Sequence, residues 1–89
     1  MPVQESTLIL SPDAVIRDDD MVLFNRSNGC IVHLNQMGFA VILHFYEGST
    51  VRNTINSVAK IYSLEPSDIS LETADLVKLL INNGLLMEV

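Results

Sequence analysis

Basic residues are scarce in this chain, cysteine occurs once, and no apolar run is long enough to cross a bilayer. Each scarcity removes a class of protein. The five cations, Arg17, Arg26, Arg52, Lys60 and Lys78, are scattered against eleven acidic residues, for a net charge of −6. Proteins that bind phosphate backbones ordinarily gather a basic patch. Nucleic acid is therefore a poor partner, and a basic peptide or a positively charged protein surface is a better one. The lone Cys30 cannot form an internal disulfide, so packing or a partner must compensate for small size. The longest apolar runs are Phe39–Leu43 and Leu79–Ile81, with Leu85–Met87 nearby. A spanning helix needs about 20 such residues, so no membrane partner is expected. The first residues, Met1-Pro2-Val3-Gln4-Glu5, lack the basic flank of a secretory signal, and the cytoplasm is the expected location.

What is present suits one small core. Eighty-nine residues with 48% apolar content are ample for a single packed domain and too apolar for a disordered segment. The expected division is a flexible tail over residues 1–10 and one domain over 11–89. There is no internal repeat and no low-complexity segment.

Local signals then order the chain. Ser11-Pro12-Asp13 marks a turn, and Ala14–Arg17 reads as a short strand. Asp18-Asp19-Asp20 repel one another and favour a solvated turn. Met21–Asn25 is a second strand. Asn28-Gly29 predicts a type I′ hairpin turn, and Cys30–Leu34 is the return strand, the third of an antiparallel meander. Asn35 caps the next helix. Gln36–Tyr46 is apolar on nearly every face, the mark of a helix buried on more than one side, and Gly48 is expected to end it. Ser49 or Thr50 caps a second helix with Val51, Ile55, Val58, Ala59 and Tyr62 at helical spacing. A third helix starts at Pro66 or Ser67 and runs to about Asn83. Its stripe is Ile69, Thr73, Leu76, Val77 and Leu80, its first turns carry Asp68 and Glu72 in keeping with the helix dipole, and Gly84 terminates it. Leu85-Leu86-Met87 packs back or adds a short strand. The predicted class is α+β: an N-terminal three-stranded antiparallel sheet followed by three helices, a winged helix-turn-helix-like plan with the wing placed first.

No catalytic cluster stands out, and no enzyme activity, cofactor or metal is expected. Cys30 lacks the basic surroundings that lower a thiol pKa and reads as a small buried hydrophobe. Cys30, His33 and His44 have none of the usual metal-ligand spacings. His44, inside an apolar helix, reads as structural. Cys30, His33 and Asp75 can be assembled into a nucleophilic triad on paper, but no oxyanion-hole element accompanies them. Asp18-Asp19-Asp20 lacks the glycine and distal glutamate of a calcium loop. The third strand is different: an extended, partly polar segment beside a helical core can be left at a sheet edge, and an open edge recruits peptides.

The order of these pieces resembles the PqqD-like family, the leader-peptide recognition elements of ribosomally made, modified peptides. The matching residues are Gly29 before the third strand, Leu34-Asn35 at its end and Gly38 in the first helix. Glu47-Gly48-Ser49-Thr50-Val51, Tyr62, Leu76-Val77 with Leu80, and Gly84-Leu85-Leu86 follow, so the match runs from about Ser11 to Leu86. Leu34-Asn35 with Gly38, and Gly84-Leu85-Leu86, look most like the stand-alone recognition subunits of lasso-peptide biosynthesis. Where relatives often carry Asp in the third helix, this chain has Glu72.

The resemblance implies a non-catalytic adaptor. A precursor leader would add as a further antiparallel strand on the third strand, with side chains reaching a groove against the third helix. The domain would then present the peptide to a separate modifying enzyme or leader peptidase. The alternatives are a peptide chaperone for a radical enzyme, as in pyrroloquinoline-quinone biosynthesis, or a winged-helix DNA-binding or dimerisation module. Acidic residues on the third helix, Asp68, Glu72 and Asp75 against a single Lys78, oppose the DNA reading. The expected peptide-binding residues are Cys30, Ile31, Val32, His33 and Leu34 on the strand, with the Val32 amide pairing to the peptide or supporting the edge. Opposite them stands the helix flank of Glu72, Asp75, Leu76 and Leu79. The other flank, Ser70, Ala74, Val77 and Ile81, is the less favoured wall.

Overall fold

The computed structural model describes residues 6–89. The chain runs β1 (Thr7–Leu10), β2 (Ala14–Arg17), β3 (Val22–Asn25), β4 (Ile31–His33), α1 (Gln36–His44), β5 (Ser49–Thr50), α2 (Val51–Ile61), α3 (Pro66–Asn82) and β6 (Leu86–Glu88). This is the expected α+β order, with the meander preceding three helices. It also contains a second sheet that local patterning does not announce.

The first sheet is the meander, in the order β2-β3-β4. Ile16 pairs with Leu23, and Leu23 with Val32, so these three side chains share the face turned to the core. Leu23 is fully buried there. The opposite face aligns Val15, Phe24 and Ile31. The Asp18-Asp19-Asp20 turn is exposed as expected, with Arg17 3.4 Å from Asp20. Met21, expected inside the strand, instead closes this turn with φ of +52°.

The second turn differs from the expected type I′ form, which needs positive φ at two consecutive residues. Only Gly29 is left-handed, at φ +77°. The loop is longer and closes through Gly29 N–H to Asn25 O at 2.8 Å and Asn25 N–H to Cys30 O at 2.8 Å. Side chains explain the change. Asn25 Oδ1 accepts from Ser27 N–H, and Asn28 Oδ1 accepts from Cys30 N–H, so both asparagines cap loop amides that a two-residue turn would not contain.

The second sheet, in the order β5-β1-β6, gathers three distant segments. Thr7 pairs with Thr50, and Leu8 with both Ser49 and Glu88. Thr7–Leu10 therefore form a central strand, where a flexible tail over residues 1–10 was expected; residues 1–5 of that tail lie outside the described residues. The reason is burial: Leu8 enters the core at 2% exposure, and removing a leucine from water is worth about 1.5–3 kcal/mol.

Side chains from all three helices join the core that Leu8 and Leu23 enter from the two sheets. Asn35 caps α1, its Oδ1 accepting from Gly38 N–H at 2.7 Å. α1 ends at His44 rather than Tyr46, because Phe45 turns into the core at 0% exposure while Tyr46 faces solvent. Gly48 thus lies beyond the helix end instead of terminating it. Thr50 caps α2 through Asn53 N–H, and Tyr62 closes it. α3 begins at Pro66 with Asp68 accepting from Glu65 N–H at 3.0 Å. Ile69, Thr73, Val77 and Leu80 form its buried stripe. No described helix is long and apolar enough to cross a membrane.

Candidate functional site: an open strand edge beside a cleft

β3 is flanked on both sides, but β4 pairs with β3 alone. The other side of β4 is a free edge among the described residues. Which of its backbone groups are free follows from the ladder. Asn25 N–H donates to Cys30 O, and Leu34 N–H donates to Met21 O at 3.0 Å. With Leu23 opposite Val32, these bonds place Cys30, Val32 and Leu34 in hydrogen-bonding register with β3. Backbone groups alternate in direction along an antiparallel strand. Ile31 and His33 therefore turn their N–H and C=O groups to the open side. Of the two roles expected for the Val32 amide, pairing to a peptide or supporting the edge, the ladder with β3 gives it the second. Val32 supports the edge, and Ile31 and His33 present it.

Beside this edge lies a cleft of about 190 Å³. His33, Leu34 and Asn35 form one wall, where β4 passes into α1. Met37, Gly38 and Val41 of α1 form the floor, and Glu72, Thr73 and Leu76 of α3 form the far wall. Three features of the sequence make the hollow. Asn35 caps α1 just beyond the end of β4, so the strand passes into the helix with almost no loop between them. Gly38 supplies no side chain where one would crowd the cleft: a Cβ there would lie 3.1 Å from Asn35 Oδ1 and 3.4 Å from Leu34 Cδ2. Leu76, half-buried beside the core, leaves part of its side chain facing the opening.

The spacing of β4 and α3 is held at the other end. The buried Asn25 donates from Nδ2 to Asn83 O and Gly84 O, at 3.0 and 3.2 Å, and Asn28 Nδ2 also donates to Asn83 O at 3.1 Å. The turn before β4 is thus clasped to the carbonyl end of α3. Gly84 sits at φ +72°, and a Cβ on it would fall 3.1 Å from Asn25 Nδ2, so glycine here serves both the backbone conformation and the clasp. With the turn at the C-terminal end of α3 and His33 near Glu72, β4 and α3 run in opposite directions along the cleft.

The residues expected to bind a peptide divide into three groups. His33, Leu34, Glu72 and Leu76 come together around the cleft. Ile31 is 60% exposed on the outer face of the sheet, while Cys30 and Val32 are half-buried against the core. Asp75 and Leu79 are exposed on α3 outside the lining of the cleft. The lining also includes Asn35, Met37, Val41 and Thr73, which sequence reasoning placed in caps and core, and Gly38, which it singled out only for the family resemblance. Alternation along α1 held no signal for them, because nearly every α1 position is apolar. The closeness of Gly38 to Leu34 and Leu76 appears only once the helices pack.

Two polar side chains away from the cleft are satisfied within the fold. His44 Nδ1 lies 2.9 Å from Ala40 O, in its expected structural role. Thr54, fully buried, donates to Ser49 Oγ at 3.1 Å. Among the described residues, no three His, Cys, Asp or Glu side chains gather as a metal site.

No family model matches the chain, and no curated protein matches it in sequence. Two solved structures share its fold. One is a lasso peptide synthetase B1 complexed with the leader peptide, 23% identical, covering 90% of this chain and 96% of that one at a TM-score of 0.71. The other is TbiB1 in complex with the TbiA(beta) leader peptide, 21% identical, covering 88% of this chain and 93% of that one at a TM-score of 0.72. The likeness is one of fold, and it extends over nearly the whole length of both.

Proposed function

We propose that this chain is a PqqD-like recognition element of the lasso-peptide type. It binds the leader of a ribosomally made precursor peptide and presents it to a separate modifying enzyme or leader peptidase, without catalysing a step itself. One observation carries the reading: Ile31 and His33 direct their backbone groups to an open edge, and that edge borders a cleft with an apolar floor. A peptide adding antiparallel to β4 exchanges hydrogen bonds with Ile31 and His33. Its residues opposite Val32 and Leu34 project on the helix side, toward the cleft, and the intervening ones lie on the outer face with Ile31. Main-chain bonds supply affinity that tolerates sequence change, and the cleft supplies selectivity for alternate residues. The two fold neighbours, both determined with leader peptides, support the same reading.

The test is a titration of a synthetic lasso leader peptide into the isotope-labelled protein. The amides of Ile31 and His33 are expected to shift most and to gain protection from exchange, with that of Val32 already protected. His33→Pro removes one outward donor from an edge position that tolerates proline. It is expected to weaken binding about tenfold, the scale of one or two net hydrogen bonds, while helical content persists. Binding that leaves the Ile31 and His33 amides undisturbed, or that is indifferent to His33→Pro, refutes strand addition at this edge. Tight, salt-sensitive binding to duplex DNA would instead favour the winged-helix reading.

A further inference from the structure

The cleft is apolar at its floor and charged at one end. Glu72 stands in its far wall, near the end of β4 marked by His33 and Leu34. Asp75 lies roughly 60° from it around α3, at about 100° per residue. No lysine or arginine lines the cleft. The Arg17–Asp20 and Arg26–Asp13 ion pairs involve neither Glu72 nor Asp75. The one cation of α3, Lys78, is turned roughly 200° from Leu76 by the same helical geometry, away from the cleft. With a net charge of −6 on the whole chain, a carboxylate in this wall meets no neutralising cation from its own cleft.

The geometry points to Glu72 as a specificity-determining residue that selects a basic side chain in the bound peptide. This rests on the strand-addition reading, and it adds a position. β4 runs toward Glu72, so an antiparallel peptide runs away from it. The basic residue therefore lies on the N-terminal side of the paired segment, two or more residues before the apolar side chain opposite Val32 that enters the cleft. The extra methylene of glutamate over aspartate lets the carboxylate reach farther from the α3 backbone. Because the site is open to water, the contact adds selectivity and encounter rate more than raw affinity.

The experiment selects binders from a displayed library of random linear peptides, using the full chain, Glu72→Gln and Glu72→Lys. The natural chain is expected to enrich Lys or Arg N-terminal to alternating apolar residues. Glu72→Lys is expected to replace that preference with Asp or Glu at the same position. A peptide selected by the natural chain should bind Glu72→Gln about three- to fivefold more weakly at low salt. Amide shifts at Ile31 and His33 are recorded for each selected peptide. If those amides shift but the natural chain and Glu72→Lys select the same composition, charge selection by Glu72 is overturned and strand addition stands. If no selected peptide shifts them, strand addition falls and this inference falls with it.

Discussion

β2, β3 and β4 follow one another in the chain and pair in that order, whereas β5, β1 and β6 pair across most of its length. The first sheet is a product of short turns. The second exists only once α1, α2 and α3 have folded the chain back, since Leu8 meets both Ser49 and Glu88. The two sheets also expose different edges. The outer side of β4 runs beside a cleft lined by Gly38, Glu72 and Leu76. The outer side of β6 presents the backbone groups of Leu86 and Glu88. A long-range sheet thus contributes core and closure, and a locally built sheet supplies the open edge that borders the cleft.

Breaking the long-range sheet should have the largest effect. Leu8→Ala removes a side chain at 2% exposure in the centre of β5-β1-β6, and is expected to cost about 3 kcal/mol in urea unfolding. Peptide affinity of the fraction that remains folded should be nearly unchanged. If affinity fell in parallel with stability at saturating folded protein, the two sheets would not be separable in function.

Crowding the cleft is a middle-sized test. Gly38→Ala improves helix propensity by about 1 kcal/mol, but its methyl would press on Asn35 Oδ1 and Leu34 Cδ2, a crowding that offsets the gain. The expected outcome in calorimetry is a small change in thermal midpoint, with leader affinity reduced roughly fivefold by the narrower opening. Unaltered affinity would move the peptide's side chains out of this cleft.

The smallest effect is a deliberate contrast with His33→Pro. Val89 N–H donates to Thr7 O and Ser11 N–H to Leu85 O, so the amides of Leu86 and Glu88 face away from β1 by the same alternation. Glu88→Pro therefore removes an outward donor from the other sheet, as His33→Pro does from the first. It should leave leader binding unchanged in the same titration. A loss equal to that of His33→Pro would mean that any open edge of this domain serves.

The sequence was most legible where its signals are short-ranged. Asp18-Asp19-Asp20, Asn35, Thr50, Pro66 and Gly84 each mark a turn or helix end through bonds closed within a few residues, and the structure places all of them in those roles. Asn28-Gly29 was legible as a turn but not as to type, because Asn25 and Asn28 each bond both within the loop and to the end of α3. Of the expected site, His33, Leu34, Glu72 and Leu76 gather at the cleft while Asp75 and Leu79 stand outside it. Helical spacing groups Glu72, Asp75, Leu76 and Leu79 on one flank, but it does not say how far along that flank a neighbouring strand reaches.

Local patterning by itself determined the meander, the three helices and their caps, and the acidic, cation-poor character of the surface. Turn closure, capping and charge depend on residues only a few positions apart, or on composition alone. Tertiary structure decided that Thr7–Leu10 become a central strand, that Ile31 and His33 rather than Val32 face the open edge, and that Gly38 hollows a cleft between β4 and α3. Those outcomes depend on pairing register and on contacts between residues tens of positions apart. Such contacts become favourable only after the loop entropy between them has been overcome by the burial of a common core.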